Sequence, residues 1–107
     1  MYEERAAEYL IQQGYEIIEK NYRCRIGEID LIGIQQGWLC FIEVKYRKDS
    51  KAGDPLEAVG LQKQKKIIQT AQFYLLTHPQ YRNAKCRFDA VGILPGSIRL
   101  VQNAFLC

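Results

Sequence analysis

The stretch GEIDLIGIQQGWLCFIEVKYR, residues 27–47, decides how this chain is read. It holds two runs rich in β-branched and aromatic residues, 27–34 and 38–47, separated by Gln35-Gln36-Gly37. A residue followed by glycine between two such runs signals a hairpin. Alternation along the second run puts Leu39, Phe41, Glu43, Lys45 and Arg47 on one face, and Cys40, Ile42, Val44 and Tyr46 on the other. The first of these faces begins apolar and ends charged. In the first run the face of Glu28, Asp30, Ile32 and Ile34 shows the reverse gradient, as an antiparallel partner would. A two-residue turn at Gln36-Gly37 then sets Ile34 opposite Leu39, Ile32 opposite Phe41, Asp30 opposite Glu43 and Glu28 opposite Lys45. A slip by one residue would separate these sets onto opposite faces, and a slip by two would pair Asp30 with Phe41.

Asp30 facing Glu43 costs free energy. Facing Cβ atoms lie about 5 Å apart, and two carboxylates at that distance repel by roughly 3 kcal/mol at an effective dielectric of about 20. A proton or a cation between them removes the cost. Lys45 compensates in part. A divalent ion, magnesium or manganese, compensates better, because two carboxylates and a backbone carbonyl are hard oxygen donors. Lys45 lies two residues beyond Glu43 on the same face, where an ammonium polarises a water or steadies a phosphate. The competing reading is an internal salt-bridge cluster of Glu28, Asp30, Glu43, Lys45 and Arg25. Periodicity and charge leave both open.

Around the hairpin the pattern gives a helix at 2–13 ended by Gly14, a strand at 15–24, a polar loop at 48–55 and a second helix at about 56–77. Asp54 is the candidate cap of the second helix, with Pro55 at its first position, and His78-Pro79 ends it. Strands at 86–93 and 98–104, joined by Pro95-Gly96, complete an α-β-β-β-α-β-β order. That order predicts one α/β domain over residues 1–107, a mixed sheet flanked by helices. On the first helix Ala7, Leu10 and Ile11 form the apolar stripe, and Glu8 lies at its edge. Glu8 reads either as an exposed helix acid or as a third acid of the site. On the second helix Gln64, Ile68, Ala71 and Leu75 share a stripe. Gln64 then either finds a backbone partner or points into the cleft. Lys63 and Lys66 fall off this stripe.

Composition narrows the chemistry. Among 107 residues there is one histidine, His78, and there are two serines, Ser50 and Ser97. A histidine-rich zinc site is excluded, and a serine triad has almost no material. The cysteines at 24, 40, 86 and 107 contain no CxxC pair. Neither a basic-then-apolar leader nor an 18-residue apolar run is present, so the sequence predicts a cytoplasmic protein with reduced thiols and no membrane span. The net charge is +3, but seven basic and three acidic residues lie between Lys45 and Lys66, so the rest of the chain carries a net −1. A basic segment of this kind suits a polyanion such as DNA, with Arg47, Lys48, Lys51, Lys63 and Lys66 as phosphate contacts. It is equally compatible with a solvated surface.

GEIDLI (27–32) and FIEVKYR (41–47) together resemble the core of the PD-(D/E)XK nuclease superfamily, in which an aspartate and an acid-x-lysine triplet end adjacent strands of a hairpin. The segments 3–23, GDPLEAVGLQKQKKI (53–67), AQFYL (71–75) and RFDAVGI (87–93) extend the likeness over nearly the whole chain, to the YraN family of uncharacterised bacterial proteins. The resemblance implies a restriction-endonuclease-like fold akin to Holliday-junction resolvases. It also implies a magnesium- or manganese-dependent endonuclease acting on DNA, with branched DNA as a substrate class. Asp30 and Glu43 would be metal ligands and Lys45 the active-site lysine. Glu8 would be the extra helix acid of resolvase-like members, and Gln64 the helix glutamine of some branches. Ile29 stands where the superfamily's nominal proline would be, which removes no ligand. Resolvase-like nucleases are often dimers, so a homodimer is implied by analogy. The rival expectations are a nucleic-acid-binding module that does not cut and a protein-binding scaffold presenting Tyr22, Trp38 and Tyr46.

Overall fold

The structure, a computed structural model, describes residues 2–46 and 60–105. Gln36 and Gly37 both have positive φ, 51° and 82°, the pattern a two-residue type I′ hairpin requires. They join β2 (Glu28–Gln35) to β3 (Trp38–Tyr46). The pairs run from Gln35↔Trp38 through Ile34↔Leu39 and Ile32↔Phe41 to Leu31↔Ile42, which is the expected register. Around this hairpin are α1 (Tyr2–Gln12), β1 (Glu16–Arg23), α2 (Leu61–Thr77), β4 (Lys85–Leu94) and β5 (Ser97–Phe105). A short 3-10 turn at Pro79–Tyr81, absent from the sequence reading, follows α2.

The result is a mixed α/β fold. One five-stranded sheet has the order β1-β2-β3-β4-β5. Only β3 and β4 are parallel. A parallel neighbour needs a long crossover, and α2 lies within the segment that makes it. The helices cover opposite faces. Ala6, Ala7 and Leu10 of α1 pack on Leu31, Cys40, Ile42, Val91 and Ile93. Ile67, Ala71 and Tyr74 of α2 pack on Ile32, Leu39, Phe41, Phe88 and Phe105. The central strands are therefore buried on both faces and read as near-continuous apolar runs. Among the described residues no helix is long and apolar enough to cross a membrane.

Both helices are turned relative to the stripes expected from sequence. Ile11, expected inside, is 57% exposed, and the buried positions of α1 are Ala6, Ala7 and Leu10. The buried positions of α2 are Ile67, Thr70, Ala71 and Tyr74. On α1 the turn exchanges Ile11 for the smaller Ala6, and on α2 it exchanges Ile68 and Leu75 for Ile67 and Tyr74 and brings Thr70 inward. The start of α2 is also corrected. Gly60, in extended conformation, is its N-cap and Leu61 its first residue. The expected cap Asp54, Pro55 and helical residues 56–59 lie outside the described residues.

A buried polar clamp ties the sheet to α1's exit. Asp89 on β4 is fully buried. It accepts two hydrogen bonds from Arg87 at 2.9 Å, one from the Tyr15 hydroxyl at 2.7 Å and one from the Asn103 backbone N–H at 2.8 Å. Arg87 also donates to Gln35 Oε1 at 2.9 Å and to the Tyr15 hydroxyl at 3.1 Å. Burial, then the bond to Asp89, hold the Tyr15 hydroxyl well above its ordinary pKa. Every charge is paired, as burial demands.

Candidate active site

The apolar half of the β2–β3 ladder ends at Leu31↔Ile42. Beyond it the Asp30 side chain takes the role of a main-chain acceptor, and its Oδ2 receives the Val44 N–H at 2.7 Å. On the other side of β2, Asn21 falls between the Lys20↔Leu31 and Tyr22↔Ile29 pairs and has φ 53°. Strict alternation breaks here. Leu31 belongs to the α1-side core, whereas Ile29 and Ile32 both belong to the α2-side core. The break places Asp30 in the opening between β2 and β3, where charges from both helices reach it.

Glu43 continues the Leu39–Phe41 face toward α2 and is only 6% exposed. Its Oε1 lies 2.6 Å from Lys63 Nζ and 3.8 Å from Lys45 Nζ. Burial, and then the Glu43 charge, raise the Asp30 pKa to about 6, with a smaller push from Glu3. Thus Asp30 and Glu43 are electrostatic neighbours at the open end of the hairpin, as the register implied. Burial, together with the adjacent Lys63, pulls the Lys45 pKa down. Lys63 shifts the other way. Desolvation alone would lower it, but its bonds to Glu43 and Lys45 and the charges of Glu43 and Asp30 prevail.

Several expected participants are placed elsewhere. Glu28 does not meet Lys45. It is exposed and pairs with Arg23 at 3.1 Å across the β1–β2 turn. Glu8 is exposed and off α1's buried stripe. The acid on that stripe is Glu3, at i, i+3, i+4 and i+7 with Ala6, Ala7 and Leu10, and it is the α1 acid that acts on Asp30. That spacing was present in the sequence, but the larger Ile11 suggested a different stripe. Lys63, expected off the α2 stripe as a phosphate contact, is placed differently for the same reason. It stands four residues before Ile67 and seven before Thr70, on the face of α2 that meets the sheet. Gln64 is half-buried one position further round the same end of α2. Lys66 is exposed. Arg47, Lys48 and Lys51 lie outside the described residues.

A surface hollow of about 680 Å³ between Gln72, Leu75, Leu76, Pro79 and Arg82 lies toward the C-terminal end of α2, with no carboxylate among the described residues that line it. The carboxylates mark the site that can do chemistry. His78 is occupied at that same far end, its Nδ1 2.8 Å from the Tyr74 carbonyl and its ring stacked on Tyr74. Cys24, Cys40 and Cys86 are free thiols. Burial, and then the Asp89 charge, push the Cys40 thiol up to about 12, which leaves it unreactive.

Among the described residues no group of three or more histidine, cysteine or acidic side chains is arranged to hold a metal. The donors available are the pair Asp30 and Glu43. Their chemistry fits a hard divalent cation, and an ammonium, Lys63, already stands against Glu43 as a cation would.

The chain matches the uncharacterised protein family UPF0102 over residues 2–93, a span that contains Glu3, Asp30, Glu43, Lys45 and Lys63. It belongs to that family. UPF0102 is the YraN family whose motifs the sequence carries. A UPF0102 protein of Lachnoclostridium phytofermentans is 50% identical over 103 residues, covering 96% of this chain and 87% of the relative. One of Alcanivorax borkumensis is 44% identical over 108 residues, covering 96% and 86%. One of Chlorobium limicola is 53% identical over 89 residues, covering 83% and 68%.

Proposed function

We propose that this UPF0102 chain is a magnesium- or manganese-dependent nuclease that hydrolyses phosphodiester bonds in DNA, with branched or structured DNA as its substrate class. The observation that carries this reading is the buried Glu43 carboxylate beside Asp30, with two lysines converging on its Oε1. Such a pair repels unless a proton or a cation joins it, and a divalent ion offsets both charges at once. Asp30 and Glu43 would hold the ion, and Val44 contributes to the grip by fixing Asp30 through its N–H. When bound, the ion would supply Lewis-acid polarisation of the phosphoryl oxygen. Lys45, lowered by burial and by Lys63, sits where it can exchange a proton with an attacking water or balance charge building on the phosphate. Burial and Glu43 raise the Asp30 pKa to about 6, with a smaller push from Glu3, so a proton competes with a cation there as the pH falls toward 6. The first turn of α2 has no acidic residue, and among the described residues no side chain caps it, which suits an approaching phosphate.

The test is magnesium-dependent cleavage of branched, nicked and single-stranded DNA by the wild type, Glu43→Ala and Lys45→Ala. Activity confined to the wild type supports the assignment, and activity that survives both substitutions removes it. One observation favours a second reading, a nucleic-acid-binding module that does not cut. Lys63 already neutralises Glu43 at 2.6 Å. On that reading binding weakens with salt, by a slope near −0.9 per duplex phosphate neutralised, and no condition yields cleavage.

A further inference from the structure

We propose that Lys63 is the resident counter-ion of Glu43, and that its displacement makes divalent-ion binding and DNA-phosphate binding at this site depend on each other. The inference rests on the reading that Asp30 and Glu43 hold a divalent ion.

Lys63 Nζ is 2.6 Å from Glu43 Oε1, a direct contact, whereas Lys45 stops at 3.8 Å from the same oxygen. The carboxylate is 7% exposed, so little of it remains free while Lys63 is in place. Magnesium binds carboxylate oxygen at about 2.0–2.1 Å, and a divalent cation and an ammonium repel each other at that range. An ion taking Glu43 Oε1 therefore has to move Lys63. The side chain can move, because it is 42% exposed and carried on four methylenes in the first turn of α2.

Charge decides where it goes. With Asp30 and Glu43 ionised and Lys45 and Lys63 protonated, the four side chains sum to zero. A divalent ion brings two uncompensated positive charges, and the displaced ammonium loses its partner. A phosphodiester supplies one of the two missing negative charges and, at once, a new acceptor for Lys63. Each ligand thereby removes part of the cost of binding the other, and such coupling is reciprocal by linkage.

The experiment titrates manganese into the full chain by calorimetry, with and without a phosphorothioate duplex that resists cleavage. It compares wild type, Lys63→Met and Lys63→Gln, each first shown to melt cooperatively. The glutamine variant retains helix propensity and a donor if the methionine variant does not fold. The duplex is expected to tighten manganese binding to the wild type by about tenfold, within the usual range of coupling. Without DNA, both variants are expected to bind manganese about tenfold more tightly than the wild type, and the duplex adds little. Equal manganese affinity in wild type and variants, or an equal effect of the duplex on all three, overturns the role of Lys63 while leaving the metal site standing. Absence of manganese binding in every chain, with or without DNA, overturns the metal site and the inference together.

Discussion

Asp30→Asn should stabilise this protein at alkaline pH, although it removes a residue of the proposed site. In the wild type, burial and then the Glu43 charge move the Asp30 carboxyl from an ordinary 3.8 to about 6. At 1.36 kcal/mol per pH unit, that corresponds to about 3 kcal/mol of unfavourable free energy once the group is ionised. The sign follows from proton counting. Between about pH 4 and pH 6 the folded chain keeps a proton on Asp30 that the unfolded chain has released. The Asp30 contribution to stability therefore falls as pH rises through that window and is fully unfavourable above it. Asparagine is neutral throughout, and its amide oxygen still accepts the Val44 N–H. Urea unfolding in chelator, followed by circular dichroism, should show the variant more stable by about 2–3 kcal/mol at pH 8. The difference should shrink toward zero near pH 4. For a domain of this size each kcal/mol moves the melting temperature by about 4–8 °C. Added magnesium should then stabilise the wild type alone. A variant no more stable than wild type at pH 8, or a difference that does not change with pH, refutes the buried repulsion between Asp30 and Glu43.

Further consequences follow from the same geometry. Glu43→Gln and Lys45→Met should each lower magnesium-dependent cleavage by about 10²–10³ without loss of the far-ultraviolet dichroism, as removal of one charge-stabilising group does in comparable sites. Glu3→Gln should lower the Asp30 titration midpoint from about 6, read by carboxyl carbon chemical shift against pH, whereas Glu8→Gln should leave it in place. Arg87→Met should destabilise the fold by about 3–5 kcal/mol in urea, because Asp89 would remain buried without its cation.

The hairpin was legible because its evidence is local. Gln36-Gly37 fixes the turn, the period of two fixes the faces, and matching apolar ends fix the register down to Leu31↔Ile42. The nearness of Asp30 to Glu43 followed from that register, although the paired ladder itself ends at Leu31↔Ile42 and the two acids meet electrostatically beyond it. The helix contributions were less legible. A helical stripe can rotate by one position with little change in its apolar count, so Ile11 and Leu75 made stripes as plausible as Ala6 and Thr70. That single rotation moves the α1 acid from Glu8 to Glu3, and moves Lys63 from the solvent side to Glu43. Glu28 failed for another reason. The alternation that would have aimed it at Lys45 breaks at Asp30, opposite the positive φ of Asn21. The Asp89 clamp was hidden because its partners, Tyr15, Gln35, Gln102 and Asn103, are scattered along the chain.

By itself, the sequence determined the order of elements along the chain, the hairpin register and the two carboxylates with Lys45 at its open end, since each depends on neighbours within a few residues or across one turn. Only the tertiary structure decided which helix residues complete the site. Helix rotation is set by how whole faces pack on the sheet, which takes Ala6 inward on α1 and Ile67, Thr70 and Tyr74 inward on α2. Tertiary packing also decided the electrostatic character of the pair. Burial raises Asp30 to about 6 and seats Lys63 on Glu43, and neither effect exists until the sheet and α2 have come together.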